Sequence, residues 1–156
     1  MIKQFLVTSQ PNCNKMSHIM NKNVITALVL TGMIASSCTK KVTMSTIDRD
    51  IIGKWIVTEI DGTAVAEAET MPFINFTDSG VVNGNMSVNH FFGQYRVSGD
   101  SLSFGNLGMT QMLGPNMEQE ASINKALGNC CTVELTNALL KMKDKDGKVL
   151  ITLKRN

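Results

Sequence analysis

Beyond residue 50, hydrophobic and polar positions alternate in short runs, and each run ends on turn chemistry. Gly53 to Ile60, carrying Trp55, Ile56 and Val57, stops at Asp61-Gly62, a strong hairpin signal. Phe73 to Phe76 follows Pro72 and ends at Asp78-Ser79-Gly80; Val81-Val82 runs into Asn83-Gly84, which reads as another turn pair. Met86 to Val97 is a longer β-like stretch, interrupted at Gly93 and closed by Ser98-Gly99-Asp100. Leu102 and Phe104 alternate with Ser101 and Ser103, as a half-buried strand requires. Further on, Cys131, Val133 and Leu135 oppose Thr132, Glu134 and Thr136; after a turn at Asn137, Leu140 and Met142 oppose Lys141 and Lys143. Asp144 to Gly147 turns the chain into Val149, Ile151 and Leu153, opposed by Lys148, Thr152 and Lys154.

One segment has a different period. Asn116 stands where a helix cap belongs, with Gln119 three residues on as its reciprocal partner and Pro115 just outside. Glu118 and Glu120 place negative charge in the first turn, and Leu127-Gly128 offers a stop, so a helix over 116–127 is expected. Many short strands with one helix predict a mainly β fold: a single small antiparallel barrel or sandwich, closed so that its strand edges are hidden.

The first 50 residues follow another logic. Val24 to Ala35 carries no charge, Lys22 precedes it, and Ala35-Ser36-Ser37 leads to Cys38. This is the layout of a signal peptide, and the apolar run is shorter than the about 20 residues a membrane-spanning helix needs. An ordinary cleavage site has no use for a following cysteine. Ala35-Ser36-Ser37-Cys38 resembles the lipobox of bacterial lipoproteins, which implies cleavage over 1–37 and lipidation of Cys38. Residues 1–19 fit poorly ahead of such a signal; Met16 and Met20 are alternative starts. With Thr39 rather than aspartate after the cysteine, and Lys40-Lys41 rather than an acidic run, the family sorting rule implies the outer membrane, on its periplasmic face. Residues 38–50 then read as the lipidated cysteine and a polar tether, and 51–156 as the globular domain.

Processing changes the charge. Lys3, Lys15 and Lys22 precede the cut, leaving 12 of the 15 basic residues against 13 acidic ones and no basic block. A nucleic-acid partner loses the concentrated positive face it needs. Cys13 goes with the leader and Cys38 to the lipid, so Cys130 and Cys131 would be the remaining thiols. Strand alternation points Cys131 inward and Cys130 outward, unbridged to each other.

The order of these features resembles the META domain family, the HslJ-like proteins linked to heat shock. The likeness runs from about Ile52 to Arg155. It comprises Gly53-Lys54-Trp55, the Ile60-Asp61-Gly62 turn, Pro72-Phe73-Ile74-Asn75-Phe76, the central Val88-Asn89-His90-Phe91-Phe92-Gly93-Gln94-Tyr95, Gly108-Met109-Thr110-Gln111-Met112, and a helix glutamate at 118 or 120. The resemblance implies a lipocalin-like, partly open antiparallel β-barrel with one helix packed on it. Two family cysteines are absent, replaced by Ser87-Val88 and Leu113-Gly114, so no thiol role carries over at those places.

Catalysis finds little support. His90 is the one histidine after Cys38 and has no recognisable partner, so a Cys–His pairing with Cys130 or Cys131 has nothing behind it. One histidine and two adjacent cysteines fall short of a zinc site, and Asp144-Lys145-Asp146-Gly147 reads as a hairpin turn rather than a calcium loop. No phosphate loop is present, and no cofactor is expected. Candidate binding residues are Asn89, Phe91 and Tyr95 in the central run, with Met109 and Met112 as an adaptable apolar mouth near the helix entrance. Two functions follow as expectations: a non-catalytic envelope lipoprotein that contacts another protein in stress or assembly, or a small barrel that holds an apolar ligand such as a lipid fragment.

Overall fold

The structure is a computed structural model and describes residues 47–66, 70–136 and 138–156; the expected signal segment, Cys38 and the expected turn at Asn137 lie outside the described residues. The chain opens with a short helix α1 (Ile47–Asp50), then β1 (Gly53–Ile60), β2 (Thr63–Ala64), β3 (Phe73–Phe76), β4 (Val81–Asn85), β5 (His90–Ser98), β6 (Ser101–Phe104) and β7 (Gly108–Met109). A long helix α2 (Met117–Asn129) follows, then β8 (Thr132–Thr136), β9 (Leu139–Lys143) and β10 (Val149–Arg155).

Eight strands form an antiparallel ring in the order β1, β3, β4, β5, β6, β8, β9, β10, and the pairing of β10 with β1 closes it. β2 adds to β1 and β7 adds to β5. The expected mainly β barrel with one packed helix is the fold observed. Its openness is confined to the β6–β8 seam, where Ser101↔Thr132 is the registered pair and Leu102 N–H to Cys131 C=O (3.0 Å) and Val133 N–H to Asp100 C=O (2.8 Å) flank it.

Alternation in the strands fills this ring. Trp55, Ile74, Phe76, Phe91, Leu102, Leu140, Met142 and Ile151 are buried in one cluster. Each such side chain stabilises by about 1.5–3 kcal/mol relative to its exposed state. Trp55 directs its indole N–H to Ile51 C=O at 2.7 Å, and the Arg155 guanidinium stacks on its ring 4.6 Å from the centroid. Arg155 also donates to the Asp50 carbonyl at the end of α1. Helix α2 packs on β1 and β10, burying Ile123, Ala126 and Leu127.

Several local expectations are corrected. Residues 47–50 are not tether: they form α1, and Ile47 packs against the core. Asn83-Gly84 is no turn but the middle of β4, because a Cβ on Gly84 would stand 2.3 Å from Phe73 C=O and 2.5 Å from the Phe91 ring. The close approach of two neighbours, not a bend, is what demands glycine there. The stretch 86–97 is broken at its start by a tight turn, closed by Met86 N–H to Asn89 C=O at 2.8 Å, with Asn85 Oδ1 accepting from Ser87 N–H. The helix begins at 117, and Asn116 makes no side-chain cap, since its backbone is left-handed (φ 64) rather than extended. It ends two residues later than expected: Gly128 is buried as an ordinary helical residue, and Cys130 (φ −66, ψ 133) leads straight towards β8.

That ending also overturns the outward placement of Cys130, whereas Cys131 is buried as expected. β8 starts only at Thr132, so its alternation does not reach back to the pair, and the helix end carries Cys130 fully into the core. Burial raises the Cys130 thiol from 9.0 to about 12, opposed by backbone hydrogen bonds from Lys143 and Thr132. The two cysteines are not bridged to each other, as expected.

Candidate functional site

At one end of the barrel the turn before β5, the segment after β7 and the first turns of α2 converge on Asn89. Its amide oxygen accepts from Thr110 Oγ1 (2.9 Å) and Met112 N–H (2.8 Å). Its amide nitrogen donates to Met112 C=O (2.9 Å) and Glu120 Oε2 (2.6 Å). Glu120, buried on α2, accepts on Oε1 from the backbone N–H groups of Val88 and Asn89, the latter at 2.9 Å. All of these partners are donors, so the group serves as a carboxylate. Three separate segments are thus joined through two side chains, and Asn89 has its full complement of hydrogen bonds.

The helix pattern explains why Glu120 rather than Glu118 turns inward. Glu120, Ile123 and Leu127 recur at helical spacing on the buried face, whereas Glu118 is exposed. Thr110 closes the network sideways: its N–H donates to His90 C=O and its hydroxyl accepts from His90 N–H, both at 3.0 Å. His90 is itself exposed, its Nε2 lying 3.2 Å from Asn85 Nδ2.

Over this clamp lies a groove of about 390 Å³. Met86 and Met109 are buried beneath it, and Met112 and Met117 are 45% and 40% exposed along its side. Leu113 is 94% exposed at its rim. Asn124 Oδ1, also in the groove wall, is buried without a hydrogen-bond partner. Phe92 on β5 is a further exposed aromatic, packed across Gly108 of β7. Met112, Leu113 and Met117 thus leave apolar side chains exposed along one edge of the groove.

Of the five binding candidates, Asn89, Met109 and Met112 meet at this groove. Phe91 and Tyr95 do not. Phe91 is core, pressed against Gly84. Tyr95 lies towards the other end, edge-on to Phe76 (4.8 Å between centroids), its hydroxyl donating to Thr77 C=O at 2.6 Å. Burial, with Asp78 and Asp48 adding to it, holds the Tyr95 phenol above its ordinary value of 10.0. Asn89 itself is a structural clamp with no hydrogen bond to spare. Sequence reasoning assigned no role to Met86, Asn124 or Thr110; the inward position of Glu120 was available from its spacing to Ile123 and Leu127.

Elsewhere the polar clusters are structural. Asp144 Oδ1 accepts from the Asp146 and Lys148 amides, both at 2.9 Å, which makes 144–147 a hairpin turn. Among the described residues, no group of three or more His, Cys, Asp or Glu side chains is placed to hold a metal ion.

The fold and clamp define a class: a small closed antiparallel barrel whose long helix α2 is tied in by a buried glutamate. Residues 49–156 match the META domain model, and the chain belongs to that family. Among solved structures it is similar to a protein determined by NMR, at 26% identity and a TM-score of 0.58, covering 71% of this chain and 95% of that one. It is also similar to a Burkholderia xenovorans protein (19% identity, TM-score 0.56, covering 88% and 99%). A DUF4847 family protein from Bacteroides vulgatus shares the fold at 14% identity, with a TM-score of 0.51 and coverage of 67% and 92%. No curated protein matches the chain.

Proposed function

We propose that the protein is a non-catalytic lipoprotein of the bacterial cell envelope, anchored through Cys38 in the outer membrane on its periplasmic face, acting in stress or assembly by contacting another protein through the apolar rim at Met112, Leu113 and Met117. One observation carries the contact: Leu113 is 94% exposed beside two half-exposed methionines, on a loop fastened from below by Asn89. Apolar surface held rigid in this way has its ordering cost already met before association. The anchor rests on the uncharged run before Ala35-Ser36-Ser37-Cys38. Among the described residues, no helix is long and apolar enough to cross a membrane.

Two measurements test the two halves. Metabolic labelling with a fatty acid should mark the protein and fail with Cys38→Ala; undiminished label in the variant removes the anchor. A photo-crosslinking residue at position 117 in cells should give a discrete adduct that Leu113→Asp abolishes. An adduct indifferent to that change removes the rim.

A second reading has its own observation: Met86 and Met109 give the groove an apolar floor that suits a small apolar ligand. The barrel interior, filled by its own side chains, favours the groove over the lumen for such a molecule. Native mass spectrometry of the intact chain with fatty acids separates the readings, since a retained ligand lost on Met109→Glu supports the second.

A further inference from the structure

Seven methionines follow Cys38 in the sequence, and four of them, Met86, Met109, Met112 and Met117, line a single groove. Leucine or phenylalanine would make an equally good apolar wall. What methionine adds is a thioether lone pair, a soft and neutral donor that suits Cu(I) rather than Zn(II) or Mg(II).

The hard donors of the clamp beneath the groove are already engaged. Asn89 uses both amide atoms within the protein, the Thr110 hydroxyl donates to Asn89 and accepts from His90, and Glu120 receives three N–H groups. What the groove has left to offer is the four sulfurs and, in its wall, the unpartnered Asn124 Oδ1. Two of the methionines are held in the floor by burial, at 3% and 5% exposure, while the two at the side are half-exposed. Methionine's three side-chain rotations let the outer pair adjust to an ion without moving the backbone.

Charge supplies a second argument. A cation taken from water into a poorly solvated site loses hydration, and only a compensating charge makes that tolerable. The Glu120 carboxylate, buried in the same groove, provides one negative charge, which suits one positive charge. We infer that the groove is a site for a soft monovalent metal ion, Cu(I) or its surrogate Ag(I), held by the thioethers of Met86, Met109, Met112 and Met117 over the Glu120 carboxylate. The inference goes beyond the envelope reading and stands whether or not a protein partner is found.

The test uses the purified full chain in chloride-free buffer with silver nitrate as the probe. Native mass spectrometry should show one silver ion retained per chain. With methionine methyl groups labelled for NMR, the resonances of Met86, Met109, Met112 and Met117 should shift together, and those of Met44, Met71 and Met142 should not. Excess Zn(II) should leave the spectrum unchanged. The double substitution Met112→Leu with Met117→Leu keeps volume and apolarity, so the fold should persist by circular dichroism while silver affinity falls roughly tenfold or more. Met71→Leu should leave affinity unchanged. Failure to retain silver, shifts at the other methionines, uptake without methyl shifts through a cysteine sulfur, or unaltered affinity in the double variant each overturns the proposal.

Discussion

Where Trp55, Phe76 and Tyr95 meet, at one end of the barrel, buried polar atoms are answered by the backbone: the Trp55 indole by Ile51 C=O and the Tyr95 hydroxyl by Thr77 C=O. Where Asn89 and Glu120 meet, at the other end, side chains answer one another across three segments distant in sequence. The first end is sealed further by α1 and the Arg155 stack over Trp55. The second carries exposed methionines and Leu113 immediately over its polar floor. A backbone carbonyl is present whatever the local side chains are, so the first arrangement survives substitution of its surroundings. A side-chain network fails when any member is lost, because the rest stay buried without partners. Such a network holds the 110–116 loop in one place while leaving its apolar residues outside the core. That combination suits the contact surface proposed above, and the sealed end suits stability.

The contrast can be broken most forcefully at Trp55. Trp55→Ala should cost about 3–5 kcal/mol by urea denaturation, the usual loss for a large buried aromatic. A cost below about 1 kcal/mol would mean that the sealed end is not the stabilising one.

Asn89→Ala should cost about 2–3 kcal/mol, since it strips partners from the Glu120 carboxylate and from the Met112 backbone. It should also release the loop, seen as faster amide exchange at Met112 than at Trp55. Equal protection at both places would show that the loop does not depend on the clamp.

The Cys130 thiol sharpens the comparison from the core between the ends. Its folded value of about 12 lies above the unfolded 9.0, so the unfolded chain gives up this proton first as pH rises. Stability from the neutral thiol is complete below pH 9 and declines between 9 and 12, by about 1.4 kcal/mol per pH unit. Denaturation of wild type against Cys130→Ala over that range should show a steeper decline in wild type; parallel curves would place the thiol in contact with water. Alkylation of the native protein near neutral pH should correspondingly spare Cys130.

The smallest effect is expected at the rim. Leu113→Ser should change stability by less than about 0.5 kcal/mol, as an exposed substitution away from caps and networks does. A loss beyond 1 kcal/mol would show that Leu113 is packed in solution, and the groove would cease to be an open surface.

Much of the barrel was legible along the chain. Period-two alternation set the inward faces of β1, β3, β6 and β9, but not β10, where Leu150 to Leu153 are all buried, Thr152 included; Asp61-Gly62, with φ 49 and 80, forms the hairpin that its type demands. The family motifs likewise pointed to Asn89 and to a helix glutamate. Errors fell where a local signal met a distant neighbour. Asn83-Gly84 has the composition of a turn, yet the Phe91 ring crossing above Gly84 makes it strand. Extending the β8 alternation backwards points Cys130 outward, yet the end of α2 turns it into the core. Met86 joins Met109, Met112 and Met117 only because the 86–89 turn folds over β7 and the entrance to α2. Side-chain period is a property of neighbouring residues and can be read from their order. Which loops share a groove, and whether an asparagine is spent on the fold or offered to a ligand, depends on contacts between segments tens of residues apart, which only the closed barrel brings within hydrogen-bond distance.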